Sequence, residues 1–268
     1  MRDWTIAIAA LVLVVAVATI GMLAVRWLVS LSVLESHTAV AGHIYSVVGA
    51  VYGVLVAFVV VVAWERHEEA RRWAESEANA AADLDRYAAA FRPEARDRFR
   101  AELRAYARTV IEDEWPAMAR GMARHRAWRA YDRLWAAYTS YEPATETERL
   151  WFNASVDRLT DLGDHRRLRL LSGRDQIPGA LWVVLLVGGA IVVGFSYLFG
   201  ARSTWSQVLM TGLLATTIAI VLLLLAALQH PYRGVAAVEP EAMRQLLDSM
   251  DDEPTPVPAG AADEEARR

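Results

Sequence analysis

Six histidines, His37, His43, His67, His125, His165 and His230, are the side chains best suited to hold a metal or move a proton at neutral pH. They are scattered. None forms a His-x-x-x-His pair or a His-Glu-x-x-His motif, so the spacing gives no catalytic metal site. The chain has no cysteine, which excludes disulfides, thiolate metal sites and cysteine nucleophiles. All 28 basic residues are arginine, so lysine Schiff-base chemistry and a P-loop lysine are excluded as well. There is no Gly-x-Ser-x-Gly elbow and no glycine-rich phosphate loop. Glu112, Asp113 and Glu114 are consecutive, so on a helix they fan outward instead of converging, and a solvated face is expected. Asp248, Asp251, Asp252 and Glu253 lack the spacing and glycine of a calcium loop. No catalytic residue, metal site or cofactor is expected, and the chain does not read as an enzyme. A net charge of −4 argues against nucleic-acid binding.

The patterned residues lie instead in an apolar stretch. Gly42, Ser46, Gly49, Gly53 and Ala57 recur every three or four residues, a ridge that permits close helix approach. Tyr45 and Tyr52 fall on a neighbouring face, with Val56 and Phe58 following. Helix packing is one reading of this stretch. The other is that Tyr45, Tyr52, Val56 and Phe58 line a pore when several subunits assemble. Gly188, Gly189 and Gly194, and further on Thr211, Gly212 and Ala215, also suit packing between helices.

These residues belong to four hydrophobic blocks, at about 5–25, 44–63, 177–199 and 205–228, in a chain that is 55% hydrophobic. Each is about 20 residues or longer, enough to cross ~30 Å of hydrocarbon as a helix. The expected fold class is all-α: a polytopic membrane protein with four transmembrane helices and a cytoplasmic helical domain inserted between the second and third. None of the spans carries an ionisable residue at its middle, unlike proton-relay transporters and voltage sensors.

Arginine placement sets the orientation. The connector 30–42 has no arginine and the turn 200–204 has only Arg202. The opposite side carries Arg2, Arg66, Arg71, Arg72, Arg166, Arg167, Arg169, Arg174 and Arg233, while Arg26 faces outward by this reading. The positive-inside rule puts both termini and the central domain in the cytoplasm of a bacterium, with the spans in its inner membrane. Trp27, Trp64, Trp182, Tyr197 and Trp205 stand near span ends, where aromatic residues anchor.

The expected domains are a first helix pair (1–63), a cytoplasmic helical domain (64–176), a second helix pair (177–229), a short segment (230–250) and a disordered acidic tail (251–268). Residues 64–176 balance 21 arginines with 21 acids. Stripes such as Phe99, Leu103, Tyr106 and Val110, or Trp128, Tyr131, Trp135 and Tyr138, read as core faces of helices. With no glycine or proline between the second block and residue 91, one continuous helix is expected over about 44–91. A fourth cytoplasmic helix is expected over 145–171, with a break near Gly173–Pro178. Pro93 suits a helix start, and Pro116 and Pro143 mark breaks.

Several segments together resemble the bestrophin-like family of bacterial membrane proteins. They are Gly49-Ala-Val-Tyr52-Gly53-Val-Leu-Val-Ala-Phe58 running into Trp64-Glu65, Val110-Ile-Glu-Asp-Glu-Trp115-Pro116-Ala-Met, Gly194-Phe-Ser-Tyr197-Leu-Phe199-Gly200, and His230-Pro231-Tyr232-Arg233-Gly234 followed by Pro240-Glu-Ala-Met. The resemblance covers about residues 40–247. Bestrophins proper are pentameric anion channels whose second helix lines the pore through an apolar neck. By that resemblance the chain is a homo-oligomeric ion channel, for chloride or another small anion, with the lipid bilayer as its other partner. The calcium-clasp motif of bestrophins has no match here. The competing expectation is a non-conducting, membrane-anchored helical scaffold or sensor that binds a cytoplasmic partner.

Overall fold

Long runs of alanine, valine and leucine without proline give uninterrupted helices, and the computed structural model follows that rule. It describes residues 2–29, 31–122, 126–173, 177–199 and 203–251. In chain order the helices are α1 (Arg2–Leu28), α2 (Leu31–Ala88), α3 (Pro93–Thr109), α4 (Trp115–Ala119), α5 (Arg126–Thr139), α6 (Glu146–Ser172), α7 (Gly179–Ser196), α8 (Thr204–Leu228) and α9 (Glu241–Asp251), with no strand among the described residues. Four of them, α1, α2, α7 and α8, are long and apolar enough to cross a membrane. At most 22% of the most apolar window of any of these four is buried within the chain, so their apolar surface must meet lipid or another chain.

Helix α2 has 58 residues, about 87 Å at 1.5 Å per residue. It is continuous, as expected, but it starts earlier than the second apolar block. The connector expected over 30–42 is itself helical from Leu31. Residues 31–41 contain neither glycine nor proline, and a helix already nucleated extends through such a stretch at little cost.

Two compact units are found. The first comprises residues up to Arg72, Met118–Arg120 and Leu168–Glu239. Here α1 packs along α8, and α7 touches both. Its core gathers Val59, Ala63, Ile177, Leu185, Leu225 and Leu228. The break expected near Gly173–Pro178 is present: α6 ends at Ser172, and Pro178 is the residue preceding α7.

The second unit comprises Trp73–Ala117, Gly121–Arg167 and the chain from Pro240. The stripe Phe99, Leu103, Tyr106 and Val110 is buried, as its spacing requires. Phe99 stacks on Tyr138 with ring centroids 4.0 Å apart, and Phe91 meets Phe99 edge-on. On α5 the deepest positions are Ala127, Ala130, Leu134, Ala137 and Tyr138, whereas Trp128, Tyr131 and Trp135 are half-buried. Pro93 opens α3. Thr145 and Glu148 cap α6: the Glu148 amide donates to Thr145 Oγ1, and the Glu148 carboxylate accepts from the Ala144 amide.

The acidic run departs from its expected solvated face. Between α3 and α4 the backbone widens into a π-turn, Val110–Glu114, closed by the Trp115 amide on the Val110 carbonyl. Pro116 has no N–H to continue the ordinary ladder, which favours the wider turn. The extra residue turns Glu114 inward, where it is buried against Arg166. Asp251, placed in the tail by sequence, closes α9 instead. The rest of the tail expectation, 252–268, lies outside the described residues.

Candidate functional site

Helix α2 presents two different faces. On the first, the Tyr45 ring lies edge-on to Phe199 at 5.3 Å and beside Phe195 at 5.9 Å. Tyr52, two turns on, donates its hydroxyl proton to the Leu185 carbonyl at 3.1 Å. Its ring lies over α7 where Gly188 and Gly189 leave room: a Cβ on Gly188 would sit 2.8 Å from that ring. Val56, one turn further, packs on the core around Leu185 and Leu225. Tyr45, Tyr52 and Val56 therefore share a face that is used inside the chain.

Phe58 is on the other side. Val47, Val51, Val54, Phe58 and Val61 follow one another at intervals of four, three, four and three, which makes one stripe along the helix. Their exposures run from 54% at Val61 to 72% at Val54, so none of the described residues covers them. The small-residue ridge flanks this stripe. Ser46 Oγ donates to the Gly42 carbonyl, and a Cβ on Gly42 would touch only the Phe199 ring, at 3.8 Å. At Gly49 and Gly53 a Cβ would meet nothing within 4 Å, and Ala57 is exposed. The close contact between α2 and α7 thus comes from glycines on α7 receiving a tyrosine from α2, a pairing that composition alone does not reveal.

The segment after α8 is a tie within the first unit. Pro231 and Tyr232 are buried. The Tyr232 hydroxyl donates to the Ala70 carbonyl at 3.0 Å and lies 3.3 Å from Ser172 Oγ, and its ring rests on Gly173. Arg233 donates to the Ala119 carbonyl at 2.7 Å. Gly234 has φ +79°, a left-handed conformation that suits glycine, and the turn closes through the Val238 amide on the Pro231 carbonyl. One short motif therefore fastens α2, α4 and α6 around the end of α8. Burial depresses the pKa of His230, with Arg233 adding to the effect, and burial also depresses that of His67.

In the second unit, sequence reasoning missed the most buried charges. Arg166 makes a two-pronged ion pair with Glu114, at 2.6 and 3.3 Å, and its guanidinium lies 4.1 Å from the centre of the Trp128 ring. Tyr106 donates to Glu77 at 2.7 Å, also buried. Pro116 beside an acidic run was the available signal for the turn that buries Glu114. Nothing in the local sequence marked its partner, 52 residues away. Among the described residues no group of three or more His, Asp or Glu side chains is arranged to hold a metal.

A model of the bestrophin-like domain family matches residues 12–243, most of the chain. The chain belongs to the bestrophin-like family. Solved structures agree on the fold. A single-substitution variant of a bacterial bestrophin homologue from Klebsiella pneumoniae aligns with this bestrophin-like chain at a TM-score of 0.69 and 16% identity, over 92% of this chain and 99% of that one. A structure described as a membrane protein variant aligns at 0.68 and 16% identity, over 92% and 97%. Another so described aligns at 0.68 and 17% identity, over 92% and 99%. A comparison with curated protein sequences finds no match. The family, the fold and the four apolar helices together make this a membrane protein with the architecture of bestrophin homologues.

Proposed function

We propose that this protein is a homo-oligomeric ion channel in which α2 faces the conduction path. One observation carries the reading: α2 spends one face inside its own chain and leaves the stripe Val47, Val51, Val54, Phe58 and Val61 uncovered. Copies arranged around an axis would bring these side chains together as an apolar constriction. Such a constriction gates by excluding water and opens with small helix movements. Phe58 is the bulkiest side chain of the stripe and is the proposed neck. Tyr45, Tyr52 and Val56 would set the angle of α2 by anchoring it on α7. The ridge Gly42, Ser46, Gly49, Gly53 and Ala57 would let neighbouring copies approach closely. Chloride or another small anion is the proposed ion, because α2 carries no acidic side chain between His43 and Glu65 to repel it. Arginine distribution supports an inner-membrane orientation with both termini and a 64–176 helical domain in the cytoplasm.

The test is to reconstitute the purified full chain in planar bilayers, record currents across salts and voltages, and measure subunit number by native mass spectrometry. Anion currents from an oligomer are expected, with conductance raised by Phe58→Ala. Silence under all conditions from a monomeric protein would defeat the proposal.

A further inference from the structure

The uncovered stripe of α2 does not stop where the apolar span stops. Four residues past Val61 stands Glu65, the first charged side chain on α2 after His43. Four more residues bring Glu69, and three more bring Arg72. At about 100° per residue, all three fall within roughly 40° of the mean direction of Val47, Val51, Val54, Phe58 and Val61. All three are exposed, and none has a hydrogen-bond or ion-pair partner among the described residues. The charges beside them differ. Glu68 is paired with Arg71 at 3.9 Å, and Arg66 is turned about 100° away from the stripe. Arg72 stands one turn from Glu69, close enough to offset it, but about 10 Å along the axis from Glu65. Glu65 is thus an unneutralised carboxylate in line with Phe58 and about 10 Å further along the helix.

We propose that Glu65 lines the cytoplasmic mouth of the conduction path and makes the current rectify. The inference rests on the channel reading, since only copies arranged around an axis bring their Glu65 side chains together. A ring of carboxylates makes the potential of a mouth negative, so anions are thinned there and cations are gathered. A voltage that drives anions out of the cytoplasm draws on the thinned pool. A voltage that drives cations out draws on the enriched pool. Both effects favour outward over inward current, so the sense of rectification is the same for either carrier. The valines and Phe58 carry no charge and cannot produce it. Screening sets the range: the Debye length is about 30 Å at ~0.01 M salt and about 3 Å at ~1 M. The field of Glu65 therefore reaches the neck at low salt and falls short of it at high salt.

The experiment records single channels of the full chain in planar bilayers, so that insertion in both directions does not average the asymmetry away. The larger current should exceed the smaller, at equal and opposite voltages, by about twofold or more at ~0.01 M salt and by little at ~1 M. Glu65→Gln removes the charge and breaks no contact within the described residues. It should bring the low-salt ratio close to one, and Glu69→Gln should lower it by less. A second readout needs no current. The chain has no cysteine, so nitroxide labels on Val61→Cys, Glu65→Cys, Arg66→Cys and Arg71→Cys each report one position. In a ring of copies, the distance between equal positions is shortest on the face nearest the axis. Distances measured by double electron–electron resonance should therefore be shorter at 61 and 65 than at 66 and 71.

Symmetric currents at low salt, a ratio unchanged in Glu65→Gln, or distances at 65 no shorter than at 66 and 71 would overturn this proposal and leave the channel reading standing. Silence from a monomeric protein would remove both.

Discussion

At the scale of single residues, the most consequential side chains are those taken out of water with their charge intact. Arg166 is fully buried and Glu114 nearly so. Their ion pair holds the π-turn of one segment to α6 of another. Burying two charges is costly, and the arrangement persists because each compensates the other and the guanidinium also lies on Trp128. Removing one partner strands the other. Glu114→Gln should therefore destabilise the full chain by about 3–5 kcal/mol. The double variant Glu114→Gln with Arg166→Met should recover most of that loss. Thermal unfolding in detergent, followed by circular dichroism, measures both. If the double variant is no more stable than the single one, the pair is not the source of the loss. None of this was legible from a run of three acids, because sequence period alone describes an ordinary helix and the π-turn shifts the phase by one residue.

At the scale of elements, the membrane-length helices were readable because hydrocarbon leaves the backbone so few options. Length, apolar content and the break before Pro178 placed α1, α7 and α8 to within a few residues. Helix α2 was readable through its middle and less so at its start, since Leu31–Ala41 carries polar residues yet nothing that stops a helix. What each face of α2 does was not readable. Tyr52 and Phe58 are both aromatic residues in one apolar run, and only the glycines of α7 decide that Tyr52 turns inward. Caps were better signalled, as at Thr145-x-x-Glu148. Losing that cap through Thr145→Ala should cost about 1 kcal/mol. The Glu148 carboxyl is held below its usual range chiefly by the Ala144 amide, with Tyr141 and Arg92 also contributing. A carboxylate so depressed stabilises the fold above its unfolded value, and that contribution disappears as pH falls through the lower folded value. The thermal midpoints of wild type and Glu148→Gln should therefore differ at neutral pH and converge in acid.

At the scale of the whole molecule, two histidines of the first unit contribute a pH response near neutrality. His67 lies where α2 passes the end of α8 and bonds to the Leu228 backbone; Glu68 and Arg71 act on it with opposite sign. His230 follows α8, next to Gln229 and under the influence of Arg233. Burial is the first cause of depression at both sites, so both are held neutral in the folded protein at pH values where the unfolded chain would begin to protonate them. Below the ordinary histidine value of 6.5 the unfolded state then binds more protons than the folded one, and stability falls as pH falls. The thermal midpoint of the full chain should decline between pH 7.5 and 5.5. Replacing both residues with glutamine should flatten that decline while leaving the midpoint at pH 7.5 little changed. A decline of equal slope in the double variant would move its origin elsewhere. The position gives the effect its reach: His67 and His230 stand beside Ser172 and the Pro231–Tyr232 tie, where α2, α6 and α8 are fastened together. Protonation there loosens a knot that ties α2, α6 and α8 within the first unit, so acid should lower the protection factors (exchange rates corrected for their intrinsic slowing in acid) at Ala70, Gly173 and Tyr232 before it does so in the middle of α8.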